Sequence, residues 1–186
     1  MTSLTRALRD ERGITLAEIL VATVVISIGL VGLAVVIPLS SYGVHEGNAL
    51  STATFLAEQR LEEVRNAAWT TTPSANDCLG TSTGDAAPSS SGCARTLSPA
   101  QATVPNCTNG TACTTFSDES AVTGFGSYGR KVRVTDCGTT ACAGITDANM
   151  RLVQVTVTYR PMSGTGAIST TGGKSAVLEM IVSRRD

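Results

Sequence analysis

The chain has 186 residues, of which 42% are hydrophobic, 4% aromatic and 16% charged, and its formal net charge is −1. The length suits one ordinary domain, and the near-neutral charge excludes a generally basic protein that coats nucleic acid and an acidic solvating tail. The single histidine, His45, argues against histidine catalysis and against a multi-histidine metal site.

The chain begins with a polar segment, residues 1–13, that carries three arginines and two acids. An uncharged apolar stretch then runs from Ile19 to Leu39. This is long enough to cross a hydrocarbon core of about 30 Å, and the basic flank predicts that the N-terminus stays cytoplasmic. A secretory signal peptide is the alternative, but its apolar core would be shorter and would end in a small-residue cleavage site.

Glu18 lies among apolar residues at the start of this stretch. A carboxylate within a bilayer is costly and marks function. It needs a cationic or hydrogen-bonding partner. The alternative is that Glu18 lies at the membrane interface, where its side chain reaches water.

The residues around Glu18 resemble the class III signal of type IV prepilins, whose usual form is G-F-[ST]-L-x-E. From Gly13 the chain reads G-I-T-L-A-E, so that it matches at Gly13, Thr15, Leu16 and Glu18 and has Ile14 where most members have Phe. The resemblance implies cleavage between Gly13 and Ile14 by a prepilin peptidase, followed by N-methylation of Ile14. It also implies that the new amine pairs with Glu18, which then sets the register of assembly together with Thr15 and Leu16.

The first 70 or so residues also resemble minor pilins of the PilV type and, second, I-type pseudopilins of type II secretion. The resemblance is carried by S-I-G-L-V-G-L from Ser27 and by A-T-F-L-A-E-Q-R-L-E-E-V-R from Ala53. It implies a minor pilin that primes, caps or modifies a type IV pilus. The alternatives are a type II secretion pseudopilin and a filament-borne module that binds DNA or a surface.

The family also implies partners and a location. The partners are the prepilin peptidase, other major and minor pilins, the inner-membrane assembly platform and, before assembly, membrane lipid. The chain would be a single-pass protein of the inner membrane before assembly, and part of a pilus or periplasmic filament afterwards. The implied fold is α+β, the type IV pilin fold, with a long N-terminal helix packed on an antiparallel sheet and with disulfide-stapled loops.

Four segments follow from these observations. They are a cleaved leader at 1–13, a hydrophobic transmembrane or filament-core helix at 14–39, an amphipathic half of the helix at 40–69 and a globular head at 70–186. The amphipathic half has an apolar stripe at Leu50, Thr54, Ala57, Leu61, Val64 and Ala68, with the spacing of a helix. Pro38, Gly43 and Gly47 predict either a locally melted segment or a simple bend.

The head begins with a stretch rich in Thr, Ser and Gly that predicts long loops and a short strand or two. Three strands follow, predicted at Tyr128–Asp136, Leu152–Arg160 and Ala176–Ser183. Turns are expected at Gly138–Gly144 and Gly164–Gly173. We therefore expect an antiparallel sheet that packs on the helix.

The head carries six cysteines, which point to disulfides and an oxidising compartment. Nearest-neighbour pairing is one of fifteen possible patterns. It would join Cys78 to Cys93, Cys107 to Cys113 and Cys137 to Cys142. Zinc is not expected because the chain has no C-x-x-C and His45 lies far from the cysteines.

A basic cluster at Arg130, Lys131 and Arg133 is the weak candidate for DNA binding. Successive strand residues point to opposite faces, which dilutes the cluster. Solvated edge charges that discourage aggregation are the alternative. We expect no catalytic residue, cofactor or metal, and nucleic acid is not an expected partner, because the chain shows no nucleophile–base constellation and no nucleotide-binding pattern.

Overall fold

A computed structural model describes residues 15–69, 77–93, 112–140, 142–161 and 172–184. Helix α1 covers Leu16–Arg65. The strands are β1 Ser89–Ser90, β2 Cys113–Thr114, β3 Tyr128–Asp136, β4 Met150–Tyr159 and β5 Lys174–Ser183. β1 pairs with β2, and β3, β4 and β5 form an antiparallel sheet in that order. The α+β prediction, a helix packed on an antiparallel sheet as in type IV pilins, is confirmed.

The three long strands arise from strict alternation of apolar and polar residues. β3 has the predicted bounds, β4 begins two residues earlier than predicted and ends at Tyr159, and β5 begins two residues earlier. In the middle of the sheet Val132 lies opposite Val155, which lies opposite Leu178. The predicted valine face of β4 is buried, while the alternate residues are half-buried or exposed. Burial of this face against the helix fixes the register, because a one-residue slip would expose every valine.

The core is formed between this sheet face and the second part of α1. Its buried strand residues include Val132, Val134, Val153, Val155 and Val157. The helix residues buried in the same region are Ala53, Leu56, Ala57, Arg60 and Val64. The alanines let the helix lie close to the valine face, since they add little bulk at the contact.

The helix stripe lies about one residue earlier than the sequence predicts. Ala57 and Val64 are buried as expected, but Leu50 is 47% exposed and Ala68 is exposed. The stripe predicted from the sequence leaves out the buried positions Ala53, Leu56 and Arg60. Ala53 is small and Arg60 is charged, so neither position stands out in a hydrophobicity pattern. A hydrophobicity pattern cannot predict that Arg60 is buried. Arg60 is buried because carboxylates near the sheet pair with its charge.

Helix α1 is unbroken from Leu16 to Arg65. The predicted local melting near Pro38, Gly43 and Gly47 is therefore absent from the isolated chain. A Cβ added at either glycine would meet no heavy atom within 4 Å. Gly43 and Gly47 weaken the helix, and no close neighbour among the described residues requires a glycine at either position.

The chain divides into two compact units, Met1–Val44 and His45–Asp186. The second unit contains the sheet, both described disulfides and the part of α1 that packs on the valine face.

Two predicted disulfides are present. Cys78 is bonded to Cys93 and Cys137 to Cys142. Cys113 is also disulfide-bonded. Cys107 lies outside the described residues, so its pairing with Cys113 stays a prediction. The turn at Gly164–Gly173 also lies largely outside the described residues, whereas the turn after β3 is closed by the Cys137–Cys142 bond.

Candidate functional site

The first described residue caps the start of the helix. Thr15 lies outside α1, and its Oγ1 accepts a hydrogen bond from the N–H of Glu18 at 3.3 Å. Its carbonyl oxygen accepts from the N–H groups of Glu18 and Ile19 at 3.0 and 3.3 Å. Thr15 thus satisfies helix N–H groups that have no helical partner, and Glu18 lies in the first turn, where the helix dipole favours a negative charge.

The helix that follows is apolar and uncovered. The 19 residues Leu16–Ala34 have a mean hydropathy of 2.4, and by length and composition they could cross a membrane. The hydroxyl of Thr23 donates to the carbonyls of Ile19 and Leu20, and that of Ser27 donates to Thr23. These two polar side chains are therefore satisfied within the helix, as a lipid environment requires.

Glu18 differs from Thr23 and Ser27. Its carboxylate has no hydrogen-bond or ion-pair partner among the described residues. A carboxylate beside an apolar helix of membrane-spanning length is costly unless a cation or a hydrogen-bond donor compensates it. Gly13 and Ile14 lie outside the described residues, and Leu16 is exposed on the first helical turn.

In the second unit, a buried ion network joins the helix to the sheet. Arg60 donates to Glu119 at 3.0 Å and to Glu63 at 2.6 Å. Arg130 on β3 donates to both carboxylate oxygens of the same Glu119, at 2.9 to 3.1 Å. Both arginine side chains are at most 7% exposed. The two buried guanidinium groups thus share one loop carboxylate, Glu119, and Arg60 is also paired with Glu63.

Backbone carbonyls of the helix also accept hydrogen bonds from side chains of the sheet. Arg130 donates to the carbonyl of Leu56 at 3.2 Å, and the hydroxyl of Tyr128 donates to that of Ala49 at 3.4 Å. Since both acceptors lie inside α1, these bonds fix the helix along β3 in addition to the apolar packing.

A second buried cluster closes the end of the helix. Arg151 on β4 binds both carboxylate oxygens of Asp77 at 2.8 and 2.9 Å. Its guanidinium lies 4.3 Å from the centre of the Trp69 ring. Asp77 also accepts from the N–H groups of Leu79 and Gly80. The cluster holds the chain beyond the helix, and the loop closed by the Cys78–Cys93 disulfide, against β4.

Glu46 ties the helix to the opposite end of the sheet. Its Oε1 accepts from Lys174 at 2.7 Å and from the hydroxyl of Tyr159 at 3.0 Å. The hydrogen bond from Lys174 lowers the pKa of Glu46 below its ordinary value. Burial, together with the bond to Glu46, raises the pKa of Tyr159.

The basic cluster predicted from the sequence is divided between the two faces of the sheet. Arg130 is buried in the network with Glu119, whereas Lys131 and Arg133 lie on the outer face. Arg133 pairs with Asp118 and Asp85, and Lys131 also pairs with Asp85. The hydrogen bonds from Arg133 lower the pKa of both aspartates. All three cations are therefore matched by nearby carboxylates.

Within the described residues, no group of three or more His, Cys, Asp or Glu side chains is placed to hold a metal ion. His45 is exposed on α1. The cysteines among the described residues are all in disulfides, so they offer no thiolate as a ligand or nucleophile.

The sequence did not reveal the residues that join helix and sheet. Asp77 and Glu119 are carboxylates in loops, and no spacing marks them. Arg60 carried a usable signal, since it lies four residues after Leu56 and four before Val64 on the buried face. Trp69 and Arg151 are brought together only by the fold.

One comparison with known proteins bears on this geometry. Residues 8–34 match the family model of the prokaryotic N-terminal methylation motif. The matched segment contains the capping residue Thr15, the acidic residue Glu18 and most of the apolar helix. No curated protein and no solved structure matches the chain.

The motif, the uncovered apolar helix and the α+β head together support a type IV pilin-like precursor. Proteins of this class are structural subunits that a prepilin peptidase processes and that assemble with other pilins.

Proposed function

We propose that the chain is a minor pilin of the PilV type, which primes, caps or modifies a type IV pilus. The observation that carries this proposal is Glu18, a carboxylate without a partner among the described residues, in the first turn of an apolar helix that matches the methylation motif. The PilV subtype is supported by the resemblance of the first 70 or so residues.

Assembly begins with the precursor in the inner membrane. Cleavage between Gly13 and Ile14 by the prepilin peptidase frees an amine, which is then methylated and keeps its positive charge. Glu18, three residues beyond Thr15, pairs with this amine on its own or a neighbouring chain. The pair compensates two charges that would each be costly in an apolar environment.

The helix then leaves lipid for a bundle of other apolar helices. Its surface from Leu16 to Ala34 is exposed in the single chain and would be covered there. Pairing between Glu18 and the amine fixes the axial position of the helix relative to its neighbours in the filament. In any other axial position the carboxylate would be unpaired. Leu16 is part of the same motif and contributes an apolar contact.

The head is a structural module in this proposal. Its helix and sheet are joined by Glu119 and Glu46, Asp77 joins the chain beyond the helix to β4, and its loops are closed by disulfides formed after export. These contacts suit a rigid cap or adaptor at the filament surface. The proposed partners are the peptidase, other major and minor pilins, the inner-membrane assembly platform and lipid before assembly.

The test is the intact mass and abundance of the chain in filaments sheared from the native host. We expect a species that begins at methylated Ile14, at low ratio to a main subunit. An uncleaved chain confined to the membrane would contradict the proposal. Deletion that stops protein secretion but leaves pili intact would instead identify a type II secretion pseudopilin.

A variant separates the register role from processing. Glu18→Ala is expected to be cleaved but lost from filaments, whereas the exposed, unrelated change Glu179→Ala should assemble normally. Normal assembly of Glu18→Ala would refute the register role.

DNA capture is the least supported alternative, because Arg130, Lys131 and Arg133 are all paired with carboxylates. Charge reversal at Lys131 and Arg133, which lie on the outer face, tests it directly. Loss of DNA uptake with intact pili would support DNA capture.

A further inference from the structure

A polar pocket opens at the end of the sheet where β3 begins and β4 ends. Its volume is about 510 Å³, which suits a small molecule. The described residues that line it carry one positive charge and no negative charge, and the others are glycines and residues with a hydroxyl group. They include Ser120, Gly126, Ser127, Gly129, Thr158 and Arg160.

Arg160 supplies the positive charge of the pocket. It is exposed, and it has no hydrogen bond or ion pair with any residue that the structure describes. By contrast, the guanidinium groups of Arg130, Arg133 and Arg151 each bind a carboxylate. A guanidinium offers a planar set of N–H donors that matches the two oxygens of a carboxylate. Arg160 is therefore available to an anionic group that enters the pocket.

The hydroxyl groups of the pocket are also available to a ligand. Those of Ser120 and Ser127 make no hydrogen bond within the described part of the chain, and both residues are exposed. Thr158 is exposed as well, and its hydroxyl donates only at 3.5 Å, to the carbonyl of Gly129. Because a hydroxyl group can both donate and accept, this lining suits a ligand that carries several hydroxyl groups of its own.

The loop that forms one wall of the pocket is held in place by backbone hydrogen bonds. Glu119 and Arg130, which lie before and after the loop, exchange both of their backbone bonds at 2.9 and 2.8 Å. A Cβ at Gly129 would lie 2.9 Å from the Oγ1 of Thr158, so a glycine here lets the chain lie directly beside the end of β4. A wall that is already ordered loses less conformational entropy when a ligand binds.

One guanidinium among several hydroxyl groups favours a carboxylated sugar over a phosphate or a nucleic acid. A carboxylate carries one negative charge, which one guanidinium matches, whereas a phosphate monoester carries about −1.5 to −2. Nucleic acids draw much of their affinity from several cations along the phosphate backbone. An apolar ligand would leave the hydroxyl groups and the guanidinium without partners, which is costly.

We propose that this pocket binds a hexuronate unit of an acidic carbohydrate. The carboxylate of the sugar pairs with Arg160, and the hydroxyl groups of the sugar bond to Ser120, Ser127 and Thr158. The inference does not rest on the proposed function, because filament assembly requires no sugar and the pocket lies within the second unit, His45–Asp186.

The experiment measures binding of two hexuronate trisaccharides, one of galacturonate and one of glucuronate, by isothermal titration calorimetry. It uses the full chain in micelles of a polyoxyethylene detergent, whose head group carries neither sugar nor charge. The methyl esters of the same trisaccharides are the neutral probes, and inorganic phosphate and a short DNA duplex are the competing anions. Arg160→Gln removes the guanidinium, and Arg65→Gln, at an exposed arginine of the helix, is the matched control.

We expect at least one trisaccharide to bind, and its methyl ester to bind about tenfold more weakly or less. Arg160→Gln should weaken binding of the acid about tenfold or more, because it removes hydrogen bonds to a charged group. Ser120→Ala combined with Ser127→Ala should weaken it about fivefold, and Arg65→Gln should leave it unchanged. Since Arg160 contacts no described partner, the variants should fold normally, which the emission of Trp69 verifies.

Failure of both trisaccharides to bind would overturn the proposal. So would binding that Arg160→Gln leaves unchanged, or a methyl ester that binds as tightly as the acid. Displacement of the trisaccharide by an equal concentration of phosphate or of the DNA duplex would also overturn it, by showing a general anion site or a nucleic-acid site. Because the purified chain is used, the result does not depend on processing or filament assembly, so this proposal and the proposed function can fail separately.

Discussion

Arg130 on β3 donates a hydrogen bond to the carbonyl of Leu56, in the second part of α1, at 3.2 Å. The same guanidinium binds Glu119, which also binds Arg60 from the helix. One carboxylate from a loop therefore holds strand and helix together. Removing it would leave two guanidinium groups buried without their shared partner.

The first prediction concerns Glu119. Glu119→Gln is expected to lower the free energy of unfolding by about 3 kcal/mol, since breaking a buried ion network leaves uncompensated charge. Urea unfolding of the full chain in detergent micelles, followed by the emission of Trp69, the only tryptophan, measures the change. Arg65→Ala, which removes an exposed pair, should change it by less than about 1 kcal/mol. Equal effects of the two changes would show that burial of the network is unimportant.

The second prediction concerns Arg151, which combines two contacts that lysine cannot reproduce together. It binds Asp77 through two nitrogens and stacks on Trp69. Arg151→Lys keeps the charge but loses the planar fork, and we expect a loss of about 2 kcal/mol and a shift in Trp69 emission in the folded state. Lys131→Arg on the outer face is the control and should leave the emission unchanged. An unaltered spectrum in Arg151→Lys would argue against the stacking contact.

The third prediction concerns the disulfides, which close loops of different length. The Cys78–Cys93 bond spans 15 residues and the Cys137–Cys142 bond spans 5. Loop entropy predicts losses of about 3 and about 2 kcal/mol when each pair is replaced by serine. Paired unfolding curves in non-reducing buffer measure both. A larger loss for the shorter loop would show that contacts other than chain entropy dominate.

Peptide mapping of the non-reduced chain tests the remaining bond. We expect a cross-linked peptide that contains Cys107 and Cys113. A peptide that joins either residue to another cysteine would refute nearest-neighbour pairing.

The fourth prediction concerns acid. The pKa values of Glu46, Asp85 and Asp118 are lowered in the folded chain, first of all by hydrogen bonds from Lys174 and Arg133. A lowered pKa stabilises the folded state fully above the ordinary values, 4.5 for Glu46 and 3.8 for the aspartates. This stability is lost as the pH falls below those values, because the unfolded chain then binds more protons.

The free energy of unfolding, measured from pH 7 down to pH 3, should therefore be constant above about pH 5 and should decrease below it. Asp118→Asn should make the free energy of unfolding depend less steeply on pH below about pH 5. Above about pH 5 the dependence on pH should be unchanged. Glu58→Gln is the matched control, since Glu58 has no ion pair among the described residues. If the free energy of unfolding of Asp118→Asn depended on pH, below about pH 5, as steeply as that of the unchanged chain, the Asp118–Arg133 pair would be excluded as a cause of this dependence.

The sequence was sufficient where one local pattern determines the structure. The alternation in Tyr128–Asp136 gave the bounds of β3, and the apolar run after Glu18 gave the first part of the helix. Neighbouring cysteines gave two correct disulfides, because short loops bring them together.

The sequence was insufficient where distant charges meet. Arg60 lies on the buried face, where it pairs with Glu63 on the helix and with Glu119, which comes 59 residues later. Asp77 and Arg151 are 74 residues apart, and neither stands in a motif. The helix stripe was shifted for the same reason, since a pattern of apolar residues passes over an arginine.

The bond between Glu46 and Lys174 spans 128 residues of chain, and the bond between Glu46 and Tyr159 spans 113. In a chain made from its N-terminus, the helix emerges long before the strands to which it must bind. The Cys78–Cys93 bond can form early, but the bond from Lys174 to Glu46 can form only after the start of β5 has crossed. Closure of the head is therefore a late event, limited by delivery of the last strand and slowed by its non-local contacts. A precursor whose translocation stalls before β5 would hold an anchored helix with an open, protease-sensitive head.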